Sequence, residues 1–304
     1  MLLTFYLELD SLTARRLTHQ LNLIRIWHLP RGGGKPLSNP SLYRRLVGSL
    51  VYLTITRPDI SYVVHQVSQY LSAPRSIHYA AVLRILRYLK GTLFHGLIYS
   101  AQSPLVLRAF SDADWVGDPT DRKSTTGYCF LIGSSLISWQ SKKQTFVARS
   151  STEAEYRALA DTTSELLWLR WLLKDLGVST SSATPLYCDN QSAIHIAHND
   201  FFHEWTKHIE IDCHFIRYHL VHGALKLFSV SSKDQLADIF TKSLPKGRTR
   251  DLVNNLKLVS HPPWVWGRLL MYIMLWALGP ITLLVQYTYT CTTLYLYRTL
   301  MPPI

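Results

Sequence analysis

Residues 105–115 read LVLRAFSDADW, a stretch in which apolar and polar side chains alternate before the chain becomes polar. Similar alternation returns in TTGYCFLIG at residues 125–133 and in SLISWQSKKQ at residues 135–144. Alternation with a period of two is typical of half-buried β-strands, and Gly133-Ser134 is a turn signal between the second and third runs. The three runs therefore predict a meander of three antiparallel strands.

The chain that follows the meander alternates between helices and strands. A long helix is predicted from about Ser151 to Leu176, capped by serine at its start and by Gly177 at its end. The later segments are predicted, in order, as the strand PLYCD (185–189), the helices QSAIHIAHN (191–199) and HIEIDCHFIRYHLVHG (208–223), the strand ALKLFSVSS (224–232) and a last helix KDQLADIFTKSL (233–244). This order describes an α/β protein, with a mixed sheet and helices packed on its faces.

The segments outside this region differ in composition. Residues 38–99 contain segments in which apolar residues recur with the period of a helix. Residues 40–99 carry seven Lys or Arg and one acid. Residues 269–297 carry no charge and are long enough for a membrane-spanning helix, although Gly279-Pro280 interrupts them. The expected organisation is a poorly specified N-terminal segment (1–37), a helical segment (38–99), an α/β domain (100–250) and an apolar tail that is disordered or membrane-associated (251–304).

The overall charge is strongly positive, with 32 Lys and Arg against 20 Asp and Glu and a formal net charge of +12. This excess of positive charge favours a polyanionic partner, and both nucleic acid and an anionic membrane surface fit that description. The four cysteines are scattered without a CxxC pair, and no cleavable signal peptide is evident. A disulfide framework is therefore not expected, and a reducing compartment is the simpler interpretation.

Two aspartates end strands of the predicted sheet. Asp112 lies where the alternating pattern runs out into SDADW, and Asp189 ends the strand PLYCD. Acids at the tips of two buried strands repel each other unless a cation lies between them, so the pair favours a metal site. Either aspartate alone would be read as an ordinary turn or cap residue.

Two further motifs each offer a choice between two acids. In SSTEAEY, a cap by Ser150 puts Glu153 at the third helical position, where it closes a capping box, and leaves Glu155 on the face that packs on the sheet. In KDQLADIFTK, Asp234 suits a first-turn cap, whereas Asp238 lies one turn further on, level with the strand tips. We therefore favour Glu155 and Asp238 as ligands. Glu153 and Asp234 remain the alternates.

These acids lie within a series of ordered blocks, namely SDADWVGD, RKSTTGYCFLIGSSLISWQSKKQ, SSTEAEYRALA, CDNQSAI, TKHIEIDCHFIR and QLADIFTK. In this order and spacing, the blocks resemble the ribonuclease H region of copia-type retrotransposon Pol polyproteins, especially those of plants. The upstream LYRRLVGSLVYLTITRPDISYVVHQVSQYLSAPRSIHYAAVLRILRYLKGT resembles the end of the preceding reverse transcriptase and its connection. The resemblance covers about residues 38–260.

The resemblance implies a ribonuclease H-like fold, which is a five-stranded mixed sheet flanked by helices, here preceded by a small helical segment. It supports Glu155 because Ala158 follows three residues later, and Asp238 because Ala237 precedes it. The implied catalytic and metal-binding carboxylates are Asp112, Glu155, Asp189 and Asp238. They would hold two Mg²⁺ ions, or Mn²⁺ in their place. Candidate contacts to a nucleic-acid backbone are Lys142, Lys143, Lys207 and Arg217.

The activity implied by the resemblance is endonucleolytic cleavage of the RNA strand of an RNA/DNA hybrid. The implied partners are the hybrid and other parts of the polyprotein, in cytoplasmic virus-like particles or in the nucleus. Because no YxDD-type polymerase motif is present, we do not expect a complete reverse transcriptase. Two rival hypotheses remain: a catalytically inactive, nucleic-acid-binding relic, and a protein anchored to a membrane by residues 269–297.

Overall fold

A computed structural model describes residue 29 and residues 32–118, 120–178, 182–199 and 209–260. Its elements, in chain order, are α1 (Pro40–Leu53), α2 (Ser61–Ser68), α3 (Ser76–Gly91), β1 (His95–Leu97), β2 (Leu107–Ala113), β3 (Thr125–Ile132), β4 (Ser135–Lys143), α4 (Ser151–Asp175), β5 (Thr184–Cys188), α5 (Gln191–His198), α6 (Glu210–Val221), β6 (Leu225–Ser229), α7 (Lys246–Asn255) and β7 (Leu258–Ser260). Two short 3₁₀ helices, Pro58–Ile60 and Leu236–Phe240, complete the list.

Five strands form one mixed sheet in the order β4-β3-β2-β5-β6. The meander β2-β3-β4 is antiparallel, and β5 and β6 join it in parallel on the other side of β2. This arrangement confirms the five-stranded mixed sheet flanked by helices that the sequence predicts. Since β2 lies between β3 and β5, the C-terminal ends of β2 and β5 lie side by side at one edge of the sheet.

The long helix α4 packs on one face of the sheet. Ser150 caps it by accepting a hydrogen bond from the backbone N–H of Glu153 (3.1 Å), and Gly177 follows it with a φ of +80°, which favours glycine. Leu159 and Leu166 of the helix are fully buried in the same core as Ala109 of β2. Both predicted caps of this helix are confirmed, and its N-terminus lies near the edge where β2 and β5 end.

The last predicted helix, over residues 233–244, is wrong in length and type. Only Leu236–Phe240 is helical there, as a single 3₁₀ turn against the opposite face of the sheet. The Gln235 side chain ties this turn to β2, because its amide donates to Ser111 O (2.9 Å) while its oxygen accepts from the Ala237 backbone N–H (3.2 Å). Gly127 of β3 permits the close approach, since an added Cβ would lie 2.5 Å from Thr241 Cγ2. Tertiary contacts thus override the helical pattern.

Residues 251–260 continue the fold beyond the predicted end of the α/β domain. Helix α7 crosses residue 250, and β7 pairs antiparallel with β1, which precedes the main sheet. Leu252, Leu256 and Leu258 are buried with the 3₁₀ turn in one core. Residues 251–260 therefore belong to the folded part of the chain.

Helices α1 to α3 enclose a core of their own, with a buried ion pair beside it. The Arg57 guanidinium forms two hydrogen bonds to Asp59 (2.9 and 2.7 Å) and also donates to the carbonyl and hydroxyl of Thr92 (3.0 and 2.7 Å). Tyr88 donates its hydroxyl to Asp59 (2.6 Å). Trp139 of β4 connects this unit to the sheet by donating to Thr54 O (3.0 Å).

None of the described helices combines the length and the apolar composition that crossing a lipid bilayer requires. The predicted membrane segment, residues 269–297, lies outside the described residues.

Replacing Arg57 by Met should destabilise the protein, because Asp59 would remain buried with an unpaired charge. The expected loss in the free energy of unfolding is about 3–5 kcal/mol, as when one partner of a buried ion pair is removed. Urea unfolding followed by circular dichroism measures this change. The double variant R57M/D59N, which removes both charges, should be more stable than R57M alone. A single variant as stable as the native protein would contradict this role.

Candidate metal centre

Asp112 lies near the C-terminal end of β2 and is fully buried. Its Oδ2 accepts a hydrogen bond from the Thr241 hydroxyl, and Lys242 Nζ lies 3.3 Å from its Oδ1. Among the described residues, none donates a hydrogen bond to Oδ1. Burial raises the pKa of Asp112 to about 6, against the attraction of Lys242 and with the repulsion of Asp238 and Asp189.

Asp238 lies on the 3₁₀ turn and faces Asp112 across the ammonium group of Lys242. Lys242 Nζ is 2.7 Å from Asp238 Oδ1, and Arg248 Nη2 is 3.2 Å from Asp238 Oδ2. Burial alone would lower the pKa of Lys242, but Asp112 and Asp238 together raise it above its ordinary value. Lys242 therefore acts as an internal cation between these two carboxylates.

Glu155 approaches from the other face of the sheet, one turn into α4, and is 6% exposed. Its carboxylate accepts a hydrogen bond from the backbone N–H of Ala113, the residue after Asp112. Burial raises the pKa of Glu155 well above its ordinary value, and the charges of Asp112 and Asp189 raise it further. These shifts indicate that the three carboxylates lie in one electrostatic environment.

Asp189 follows β5 directly and is partly exposed. Its Oδ2 accepts a hydrogen bond from Ser232 Oγ (3.0 Å). The preceding residue, Cys188, is fully buried, and its Sγ lies 3.9 Å from Glu155 Oε2. One potential ligand atom each of Glu155, Cys188 and Asp189 lies within 4.8 Å of the others.

The four favoured acids thus meet at one edge of the sheet, whereas the two alternates have other contacts. Glu153 accepts from the Arg149 backbone N–H (2.7 Å) and forms an ion pair with Arg157 (2.9 Å), which stabilises the start of α4. Asp234 is exposed and accepts from Ser231 Oγ (2.6 Å). Glu153 thus has a structural role at the start of α4, as the sequence predicts, whereas Asp234 caps no helix, because Gln235 caps the 3₁₀ turn.

The residues predicted to contact a nucleic-acid backbone differ in whether their charged groups already have partners within the protein. Lys142 is exposed at the end of β4. Lys143 instead forms ion pairs with Asp118 and Asp121 and donates to Gln69 Oε1 (2.9 Å), so its ammonium is largely buried. Arg217 donates to Ile196 O (3.0 Å) and so ties α6 to α5. Lys207 lies outside the described residues.

The donor set at this edge fits a hard divalent cation. Carboxylate oxygens are the ligands that Mg²⁺ and Mn²⁺ prefer, and four of them converge here. Lys242 forms ion pairs with both Asp112 and Asp238, and Arg248 forms one with Asp238. In the part of the chain that the structure describes, no Lys or Arg forms an ion pair with Glu155 or Asp189. The excess negative charge and the buried Asp112 Oδ1 without a hydrogen bond both favour an added cation.

Sequence reasoning missed five residues that contact the acids: Thr241, Lys242, Cys188, Ser232 and Arg248. Lys242 follows Asp238 by four residues, a spacing that would have suggested an ion pair. Cys188 directly precedes Asp189, so its position near the acids could have been inferred once the end of the strand was predicted. Thr241 offers no such signal, because its contact with Asp112 spans 129 residues of sequence.

Comparison with known proteins finds extensive sequence similarity. The chain is 47% identical over 234 residues to the retrovirus-related Pol polyprotein from transposon RE2 of Arabidopsis thaliana, a match that covers 77% of the chain and 16% of that polyprotein. It is 42% identical over 207 residues to the Pol polyprotein from transposon TNT 1-94 of Nicotiana tabacum, covering 68% of the chain and 15% of that protein. The chain therefore spans about a sixth of the length of these relatives. No family model matches it.

Among solved structures, the N-terminal RNase H domain of rv2228c from Mycobacterium tuberculosis matches with a TM-score of 0.33 and 9% sequence identity. The match covers 49% of this chain and 97% of that one.

Replacing Lys242 by Met should lower stability in the absence of divalent cations, because Asp112 and Asp238 would then repel each other without a cation between them. The loss should be about 1–2 kcal/mol, smaller than for a fully buried pair because the ammonium is partly exposed to water. Thermal unfolding in a chelator measures it. Added Mg²⁺ should raise the melting temperature of K242M more than that of the native protein.

Lys174 provides the matched control. It is exposed in the last turn of α4, roughly 28 Å along the helix axis from Glu155, so K174M should respond to Mg²⁺ as the native protein does. If Mg²⁺ stabilises K242M no more than the native protein, Lys242 does not occupy the place of a bound cation.

Proposed function

Because this chain belongs to the family of retrovirus-related Pol polyproteins of transposons, we propose that it hydrolyses the RNA strand of RNA/DNA hybrids in a Mg²⁺-dependent reaction. The observation that carries this proposal is the meeting of four acids from distant parts of the chain at one sheet edge. The proposed catalytic and metal-binding residues are Asp112, Glu155, Asp189 and Asp238.

The four carboxylates would hold two Mg²⁺ ions, or two Mn²⁺ ions in their place. Bound divalent cations supply a more acidic water and positive charge for the leaving oxygen. The protein positions the ligands by different means. The Thr241 hydroxyl and the Ala113 backbone N–H orient Asp112 and Glu155, and Ser232 orients Asp189. These hydrogen bonds hold the carboxylates in place before the substrate arrives.

Hydrolysis forms a bond between a water oxygen and phosphorus, and it breaks the bond from phosphorus to the 3′ oxygen of the preceding nucleotide. The products are a 5′-phosphate and a 3′-hydroxyl, and the water proton leaves to solvent or to the departing oxygen. Burial of Asp112 and Glu155 favours their protonated forms, and the proposed reaction needs both as carboxylates. Lys242 favours the carboxylate form of Asp112 and would have to move when a metal ion binds beside it.

Recognition of the hybrid would depend on groove shape and on contacts with 2′-hydroxyl groups rather than on base identity. Lys142 is well placed for a phosphate contact. In the sheet register, Asp112 pairs with Gly127, and Gly127 pairs with Ser141, the residue before Lys142. Because neighbouring strands are about 4.8 Å apart, the Cα atoms of Asp112 and Lys142 are about 10 Å apart at the same edge of the sheet. Lys143 would have to exchange its present partners. Lys207 and Arg217 remain proposed contacts.

The rest of the polyprotein is the proposed partner of this chain, in cytoplasmic virus-like particles or in the nucleus. The α/β domain proposed for residues 100–250 includes the four acids and the first half of α7. Since Leu252, Leu256 and Leu258 are buried with the 3₁₀ turn of this domain, residues 251–260 should accompany it in any functional test. The full chain is accordingly the form to assay.

Replacing Asp112 by Asn should reduce cleavage of the RNA strand by roughly 10²–10³-fold, the size expected when one strong electrostatic contribution to the transition state is lost. The assay uses the full chain, Mg²⁺ and a hybrid labelled on its RNA strand, with single-stranded RNA as the substrate that should stay intact. Cleavage by D112N at the native rate would remove the proposal. Hybrid binding by the native chain without cleavage at saturating Mg²⁺ would identify an inactive relic.

Glu155 and Glu153 allow a matched test within one turn of helix. E155Q should lose cleavage to a similar extent, because it removes a proposed ligand. E153Q should unfold at a lower temperature, since it loses the ion pair with Arg157, but should keep cleavage within about tenfold of native. Equal losses of cleavage in the two variants would show that the helix start, not the ligand, matters.

A further inference from the structure

Cys188 is placed among the acids rather than in the body of the core. Its Sγ, one Glu155 oxygen and one Asp189 oxygen lie within 4.8 Å of one another. The thiol is 3.9 Å from Glu155 Oε2 and 3.8 Å from Asn190 O, both at the long end of sulfur hydrogen bonding. Three potential ligand atoms therefore surround one small volume on the α4 side of the site.

This volume is rich in acidic side chains. Ion pairs with Lys242 are formed by Asp112 and Asp238, but none of the described basic residues pairs with Glu155 or Asp189. Asp112 is fully buried, its Oδ1 lies 3.3 Å from Lys242 Nζ, and its charge acts on both Glu155 and Cys188. Asp189 is partly exposed, so an ion can enter past its side chain.

One sulfur and two carboxylate oxygens form a ligand set that differs from that of the magnesium centre. Mg²⁺ prefers oxygen ligands and near-octahedral geometry, whereas Zn²⁺ and Cd²⁺ accept thiolate and need as few as three protein ligands with an open fourth position. As a metal–sulfur bond forms, the thiol proton passes to solvent. The thiol therefore gives this edge of the sheet an affinity for soft divalent cations.

We infer that Glu155, Cys188 and Asp189 form a binding site for a thiophilic divalent cation such as Zn²⁺ or Cd²⁺. The ion would occupy two of the four carboxylates proposed for Mg²⁺, so it would inhibit hybrid cleavage by competing with Mg²⁺. The inhibition rests on the proposed function, but the binding does not. Low concentrations of zinc or cadmium would thus inhibit cleavage by coordinating directly to the site.

Cadmium binding to the full chain can be measured without any substrate, by the ultraviolet charge-transfer absorption of a cadmium–thiolate bond. The native chain should show this absorption on titration with Cd²⁺, and C188S should lose one site's share of it. C129S is the matched control, because Cys129 is equally buried but lies in the core on the opposite face of the sheet. It should retain the full absorption.

The carboxylate ligands are tested separately. D189N, which keeps all cysteines, should weaken Cd²⁺ binding at Cys188 by about tenfold or more. Circular dichroism identifies a variant that fails to fold, and C188A then replaces C188S as a more conservative change for a buried thiol. If native chain and folded Cys188 variants show the same absorption, or if D189N binds Cd²⁺ as tightly as native, the inference is overturned.

Inhibition is then measured as the Cd²⁺ or Zn²⁺ concentration that halves each protein's own Mg²⁺-dependent cleavage rate. This concentration should be about tenfold or more higher for C188S than for the native chain and for C129S. An unchanged value would overturn competition at this site. A native chain that binds Cd²⁺ through Cys188 but cleaves no hybrid would contradict the proposed function while supporting the metal site.

Discussion

Mutual repulsion among buried carboxylates is the constraint on which the site depends. Asp112, Glu155 and Asp238 are almost completely buried, and like charges that approach in a low-dielectric environment strongly disfavour one another. The fold brings them together nonetheless, and it offsets the repulsion only in part, with Lys242 between Asp112 and Asp238. Glu155 and Asp189, the other two acids, form no ion pair with a described Lys or Arg, and Lys242 acts on them only from a greater distance. A site built this way gains stability from any divalent cation that it binds.

The sheet provides the geometry that makes this convergence possible. Asp112 and Asp189 are adjacent because β2 and β5 are parallel neighbours that end at the same edge. Glu155 reaches that edge from α4 on one face, and Asp238 reaches it from the 3₁₀ turn on the other face. The acids therefore divide into two groups with different surroundings, one beside a lysine and one beside a thiol. This difference is the basis for expecting different responses to hard and soft cations.

Much of this arrangement follows from local sequence patterns. The alternating strands, the capped helix α4 and the choice of Glu155 over Glu153 depend on periodicity and on one cap, which are local signals. The 3₁₀ turn could not be predicted, because a glycine in β3 and the Gln235 side chain shape it across more than 100 residues of sequence. The pairing of β1 with β7 and the place of Lys242 also depend on long-range contacts, so they required the structure.

Direct measurement of metal binding tests the central idea, that the four acids together hold divalent cations. Electron paramagnetic resonance of Mn²⁺ titrated into the full chain counts bound ions without requiring substrate or activity. Two bound Mn²⁺ ions per chain are predicted, with both lost or greatly weakened in the double variant D112N/D238N. Absence of Mn²⁺ binding by the native chain, or unchanged binding in the double variant, would contradict it.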